Sequence, residues 1–274
     1  MTTFRILLSY DGTDYAGWQR QANGLSIQAL LEDALLTLDG REVIVTGAGR
    51  TDAGVHALGQ VASFSLAREL GADALVRALN AHLPPAVRVL QAGEAPATFH
   101  PRFGARQKTY RYHLWNADVM SPFERRTAWH LPGPLDVAAM QAAAQLLIGR
   151  HDFASFQASG GSVSTTVRDL GVSRIVDCGL RSGAKSAAES TIESAIRNPQ
   201  SAMLAYEVTG SGFLRHMVRI IVGCLVEVGR GRKPAGWISD VIAARDRPQA
   251  GPTAPPHGLF LVRVDYDGQL VSGS

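Results

Sequence analysis

The chain has 274 residues, 46% of them hydrophobic and 19% charged, with a formal net charge of +3. That length supports one large or two modest domains whose core needs no covalent staples. Two cysteines, Cys178 and Cys224, exclude a disulfide framework and a thiolate zinc site and fit a reducing cytoplasm. The opening MTTFRILLSYDG lacks a charged n-region followed by a long apolar run, so no signal peptide is expected. The most apolar stretch, Met217–Val228, carries Arg219 and Glu227 and is too short for a bilayer of about 30 Å.

Phe4–Tyr10 alternates as a strand. Ser26 can cap a helix whose apolar residues Leu30, Leu31, Ala34, Leu35 and Leu38 recur at helical spacing. Val43–Thr46 and Gln60–Ser65 read as strands, Asp73 caps a helix through Leu79 that Pro84 and Pro85 stop, and Val87–Ala92 is a strand. The second half repeats the pattern. Thr109–Trp115 is a strand, Asp136–Ile148 a helix closed by Gly149, and Val172–Asp177 and Met203–Thr209 are strands. Phe213–Val228 is a long apolar helix, Trp237–Ala244 a shorter one with Pro234 near its start, and Leu259–Tyr266 the last strand. Each half is β-α-β-β-α-β, so the expected class is α+β with two tandem ferredoxin-like halves, 1–105 and 106–274. Sheets joined edge to edge would remove one exposed edge from each and leave a central cleft. Residues 179–201, rich in Ser, Ala and Gly, read as a surface excursion, and the tail Asp267–Ser274 as frayed.

Chemistry concentrates in Gly49–Ala57, G-R-T-D-A-G-V-H-A. Asp52 sits among small residues, with Arg50 two positions before it, in a turn whose glycines permit sharp bends and close approach. An ordinary Asp-containing turn has the same composition. Carboxylates form covalent intermediates or act as bases when well placed, which makes Asp52 a candidate for either role. Arg219 interrupts an apolar helix with Arg215 one turn earlier, on the same face. It is either a solvated charge or the partner of a carboxylate, and an unpaired buried arginine would be costly. Tyr110 and Tyr112 share one face of a strand, which core packing alone would explain. Trp18, after Gly17, is read as packing under the turn, with RNA contact as the alternative.

Arg102, Arg106, Lys108 and Arg111 form one basic cluster, and Arg215, Arg219, Arg230, Arg232 and Lys233 a second. Arginine suits bidentate phosphate contacts and stacking on bases, so both clusters are candidates to meet phosphates, while a compositional bias of the genome explains the excess of arginine over lysine at least as well. No Walker loop or dinucleotide fingerprint is present, and no histidine spacing suggests a metal ligand set.

The stretch GRTDAGVHALGQVASF resembles the active-site signature of the tRNA pseudouridine synthase A (TruA-like) family. YDGTDYAGWQ at 10–19, FHPRF at 99–103, KTYRY at 108–112, HDFASF at 151–156, GFLRHMVR at 212–219 and GLFLVRVDY at 258–266 match it in the same order. The resemblance implies a homodimeric cytoplasmic isomerase, without cofactor or metal, that converts uridine to pseudouridine at positions 38, 39 and 40 of the anticodon arm of tRNA. It implies Asp52 as the essential residue that opens the glycosidic bond, by attack on base or ribose or as a base at the sugar. It further implies Arg219 as the partner of Asp52, Tyr110 stacked on the flipped uracil and assisting proton removal, Arg50 aiding base extrusion, and Leu259 as an apolar wall of the pocket. The 179–201 insertion departs from the family, which has a short connection there.

Overall fold

The structure is a computed structural model that describes residues 1–160, 163–178 and 202–267. The expected excursion at 179–201, and the tail beyond Asp267, lie outside the described residues. Those described form a mixed α+β fold, mostly antiparallel in its strand pairing, with ten strands and five α-helices among them. The chain divides into two compact units. One comprises Met1–Tyr110, Thr209–Phe213 and Leu259–Ser274, the other Arg111–Val208 and Leu214–Gly258.

In the first unit the strand order is β4 (Val87–Glu94), β1 (Thr2–Tyr10), β3 (His56–Leu66) and β10 (Leu259–Tyr266). Alternation in β1 buries Phe4, Ile6, Leu8 and Tyr10. Helix α1 (Ile27–Asp39) has the expected Ser26 cap, whose side chain accepts from the Ala29 amide, and Gly40 closes it in the left-handed conformation at φ 72°. Its Ile27, Leu31, Ala34 and Leu35 form the buried stripe. Helix α2 (Ala72–His82) is capped by Gly71, not by Asp73, which instead lies in the first turn where a carboxylate suits the helix dipole.

The expected strand Val43–Thr46 shrinks to β2, Thr46–Gly47, paired with Ser63 and Ala62 of β3. Val43 and Val45 are buried and Ile44 exposed, so the alternation is real. Yet the Val45 carbonyl accepts from the Gln28 side chain at 3.0 Å, and its amide donates to Glu32 Oε1 at 3.2 Å. Helix side chains take the hydrogen bonds that a ladder would use. The matching edge of β3 at His56 and Ala57 is held by β10, in parallel.

In the second unit β5 (Ala105–Trp115, from Arg111 on), β9 (Met203–Gly210, up to Val208), β8 (Val167–Asp177) and β7 (Gly149–Asp152) are neighbours in that order. The short β6 (Trp129–His130) pairs in parallel with β5. Helix α3 (Val137–Gln145) is shorter than expected. Asp136 caps it, and its last turn tightens through i+3 bonds at Leu146, Leu147 and Ile148 before Gly149 enters β7. HDFASF is a packing motif: Phe153 and Phe156 are buried, and Ser155 donates to the Val241 carbonyl and accepts from the Asp246 amide. That serine holds α5 (Trp237–Ala244) in place.

Helix α4 (Met217–Gly229) starts four residues later than the periodicity suggests. His216 adopts φ 59°, and the Arg215 carbonyl accepts from the Ala158 amide at 3.1 Å, so neither residue joins the helix. Arg215 therefore does not share a helix face with Arg219. All of α4 except Arg219 and Glu227 is buried. Gly223 is where it meets the segment around Pro252, since a Cβ there would stand 1.8 Å from the Pro252 carbonyl oxygen. Gly223→Ala is expected to destabilise the protein by about 1–3 kcal/mol, the range for overpacking a close contact. A thermal or denaturant midpoint equal to the parent's would mean that the helix does not approach this segment so closely.

Candidate active site

The turn carrying Asp52 is held by main chain. The Ala48 amide donates to the Val61 carbonyl at 2.8 Å, and Val55 N–H closes the turn onto the Asp52 carbonyl at 3.1 Å. Residues 12–18 press against it from one side. Trp18 N–H donates to the Thr51 carbonyl at 3.0 Å, Gly54 N–H to the Tyr15 carbonyl at 3.3 Å, and Gly12 N–H to His56 Nδ1 at 3.1 Å. The fit admits no side chains. A Cβ on Gly12 would lie 2.0 Å from the Val55 carbonyl oxygen, and one on Gly17 would lie 2.5 Å from that of Thr51. Gly17 also has φ 96°, a conformation open to glycine. Trp18 packs on Gly47 and is 2% exposed, which fits the packing role.

A buried polar cluster fixes the turn from below. The Tyr10 hydroxyl and Thr51 Oγ1 are 2.8 Å apart, and Gln60 hydrogen-bonds Tyr10 while donating to the Gly49 carbonyl at 2.8 Å. Burial pushes the Tyr10 phenol up to about 12, so it stays neutral as a donor and acceptor. Sequence reading missed this cluster. Its signal was a glutamine in the middle of an apolar strand.

Around the turn stand the expected side chains of the first unit. Asp52 is partly exposed. Arg50 is exposed and makes no hydrogen bond or ion pair among the described residues. Tyr110 is buried, its ring edge-on to Phe213 with centroids 5.0 Å apart. Burial raises the Tyr110 phenol well above its ordinary range, and the nearby Tyr10 and the charge of Asp52 add to this. Tyr110 is therefore a neutral phenol within reach of the Asp52 charge. Gly49 marks how close β5 comes: a Cβ there would lie 3.4 Å from Lys108 Nζ and 3.8 Å from the Tyr110 hydroxyl. Leu259 is buried at the start of β10, one residue before Phe260, which pairs with His56 and stacks on its ring at 4.6 Å. The first unit thus holds Arg50, Asp52, Tyr110 and Leu259.

Arg219 belongs to the second unit, in the first turn of α4. Its Nε donates to the Ala254 carbonyl at 2.8 Å, while the Ala254 amide donates to the Arg219 carbonyl at 3.1 Å. The stem of the guanidinium is thereby fixed. Tyr112, by contrast, is core: its hydroxyl donates to the Pro255 carbonyl at 2.7 Å.

The basic clusters separate by partner. Arg106 pairs with Asp267, and Arg111 and Arg174 both pair with Glu207, at 2.9 and 2.6 Å. Arg232 pairs with Glu227, and Arg215 donates to the Ser159 carbonyl. Among the described residues no group of three or more His, Cys, Asp or Glu side chains could hold a metal, and no helix is long and apolar enough to cross a membrane.

The sequence model of a family described as "tRNA pseudouridine synthase" matches residues 6–104 and 143–267. A Myxococcus xanthus protein named "tRNA pseudouridine synthase A" is 45% identical over 266 residues, covering 97% of this chain and 92% of its own length. Relatives of the same name from Geotalea uraniireducens (strain Rf4) and Geobacter sulfurreducens are each 44% identical over 266 residues, covering 97% of this chain and 100% of theirs. Likeness of this extent, spanning the Asp52 turn and the Arg219 helix alike, is that of common descent, and the chain is an isomerase that belongs to the tRNA pseudouridine synthase family.

Proposed function

We propose that the chain converts uridine to pseudouridine in the anticodon stem-loop of tRNA, at positions 38, 39 and 40, as a cytoplasmic homodimer with no cofactor or metal. The observation that carries this reading is the rigidly clamped Asp52 turn, with the Tyr110 phenol within reach of the carboxylate's charge. Family membership supports the reaction, and the motif resemblance supports the site on the tRNA. The architecture that goes with it is two ferredoxin-like halves, about 1–105 and 106–274, joined edge to edge around a cleft. The adjacency β4-β1-β3-β2 in the first unit supports that reading of the first half.

The reaction moves the C1′ bond of a uridine from N1 to C5, so a proton must leave C5 and another must reach N1. It consumes nothing else. Asp52 opens the glycosidic bond. Main-chain clamping on both sides holds its carboxylate without further reorganisation, which is how positioning lowers a barrier. Arg219 pairs with Asp52. The Nε–Ala254 bond fixes the guanidinium stem and leaves the remaining donors for the carboxylate. Tyr110 offers its ring to the extruded uracil. As a neutral phenol it takes the C5 proton only by passing its own on, a relay open to a hydroxyl that both donates and accepts. Arg50, exposed at the turn, contacts RNA as the base is extruded, a step that costs a few kcal/mol. Leu259 walls the pocket.

Incubating the protein with unmodified tRNA and mapping pseudouridine by chemical derivatisation tests the reading, and product at other positions would redirect the site assignment. Asp52→Asn is expected to abolish product while leaving tRNA affinity within about threefold, because it removes charge but little volume. Turnover near the parent rate would remove the central claim. Tyr110→Phe keeps the ring and should lower turnover by about a hundredfold or more if the hydroxyl carries the proton. An unchanged rate would leave stacking as its only role. Arg219→Lys keeps the charge without the planar fork and should impair turnover more than binding. Arg219→Ala should be worse than Arg219→Lys, and its effect on stability or tRNA affinity should be non-additive with that of Asp52→Asn. Additive effects would mean that the two residues do not meet.

A further inference from the structure

Lys108 is the unusual cation of the first unit. It sits on β5 two residues before Tyr110, on the same strand face, and packs against the backbone of Gly49 in the Asp52 turn. The side chain is half-buried, yet no carboxylate answers it: among the described residues it has no ion pair and no hydrogen bond. The charge it does feel is another cation, Arg102. Arg102 in turn makes no ion pair among the described residues and lies over the exposed ring of Phe103, 5.7 Å from its centroid.

The other cations of the same basic cluster are neutralised within the protein, Arg106 by Asp267 and Arg111 by Glu207. Two unanswered cations that repel one another, one of them partly out of water, are unfavourable in the free protein. Burial and Arg102 together push the Lys108 ammonium down to about 8. An external anion relieves both charges, and a phosphodiester presents acceptor oxygens to two donors at once. Because Lys108 borders the Asp52 turn, that anion would lie beside the reacting nucleotide.

On this basis we propose that Lys108 and Arg102 form a binding site for a backbone phosphate of the RNA next to the target uridine, with Lys108 the anchor that sets the depth of the nucleotide against the Asp52 turn. The inference rests on the reading of tRNA as substrate. It adds a positioning site that the Asp52, Arg219 and Tyr110 assignments do not contain.

The test measures tRNA affinity against salt for the parent and for Lys108→Gln, Lys108→Arg, Arg102→Gln and Arg106→Gln. Losing the shared phosphate contact should reduce the slope of log affinity against log salt by up to about 0.7–0.9. Lys108→Gln should show that loss and bind about tenfold more weakly in moderate salt, while Lys108→Arg should stay within about threefold of the parent. Arg102→Gln, at an exposed position that cannot upset the core, should lose a similar slope. Arg106→Gln should change little, since Asp267 already answers that charge. An unchanged slope in both Lys108→Gln and Arg102→Gln overturns the site, as does a Lys108→Arg defect equal to that of Lys108→Gln. These measurements are separable from the functional reading. If the parent forms no pseudouridine but binds tRNA, the reading fails while the slopes still decide the site. If the parent forms product and the slopes do not move, the site alone fails. Absence of tRNA binding by the parent overturns both.

Discussion

The fit of the 12–18 segment against the backbone of the Asp52 turn is the constraint on which the site depends. It is a contact of main chain with main chain, at distances only glycine permits, because a Cβ at Gly12 or Gly17 would overlap a carbonyl of the turn. Such a contact leaves the turn little room to shift. The Tyr10–Thr51–Gln60 cluster holds the same turn through buried hydrogen bonds, which cost 1–3 kcal/mol or so when one partner is removed. Asp52 is thus held by main-chain contacts on one side of its turn and by a buried polar cluster beneath it. A carboxylate held this way pays its ordering cost at folding, before any nucleotide arrives.

Charge is distributed with the same economy. Most arginines of the two basic clusters are answered by Glu207, Glu227, Asp267 or a backbone carbonyl. Exposed pairs of that kind contribute little to stability, but they cancel charge locally. Among the described first-unit cations without a partner, Arg50 lies in the Asp52 turn and Lys108 beside Gly49, with Arg102 acting on Lys108. A net charge of +3 understates how the positive potential is focused, because focusing depends on which cations lack partners.

Much of the fold was legible because the signals were local. The Ser26 cap and apolar stripe of α1 are properties of neighbouring residues, and α5 and β10 took the bounds that their own sequences suggest. Two misreadings, at β2 and at the start of α4, share one cause, which is competition for backbone hydrogen bonds from distant residues. Val43–Val45 alternates like a strand, but Gln28 and Glu32 of α1 take the Val45 hydrogen bonds. Phe213–His216 continues the apolar pattern of α4, but Ala158 takes the Arg215 carbonyl and His216 turns left-handed. Periodicity records which face is buried. It does not record which partner satisfies each N–H and C=O.

By itself the sequence determined the chemistry on offer: an aspartate in a glycine-rich turn, an arginine within an apolar helix, a tyrosine on an alternating strand, and ordered motifs that fix the family. Only tertiary structure decided what each residue does with its neighbours. It made Trp18 and HDFASF packing elements, took Arg106 and Arg111 out of the set of unanswered cations, and placed Lys108 against Gly49 with no carboxylate to meet it. The reason is that residue type sets what a side chain can donate, accept or carry, while pairing and desolvation are relations between atoms far apart in the chain, and only folding brings those atoms within a few ångströms.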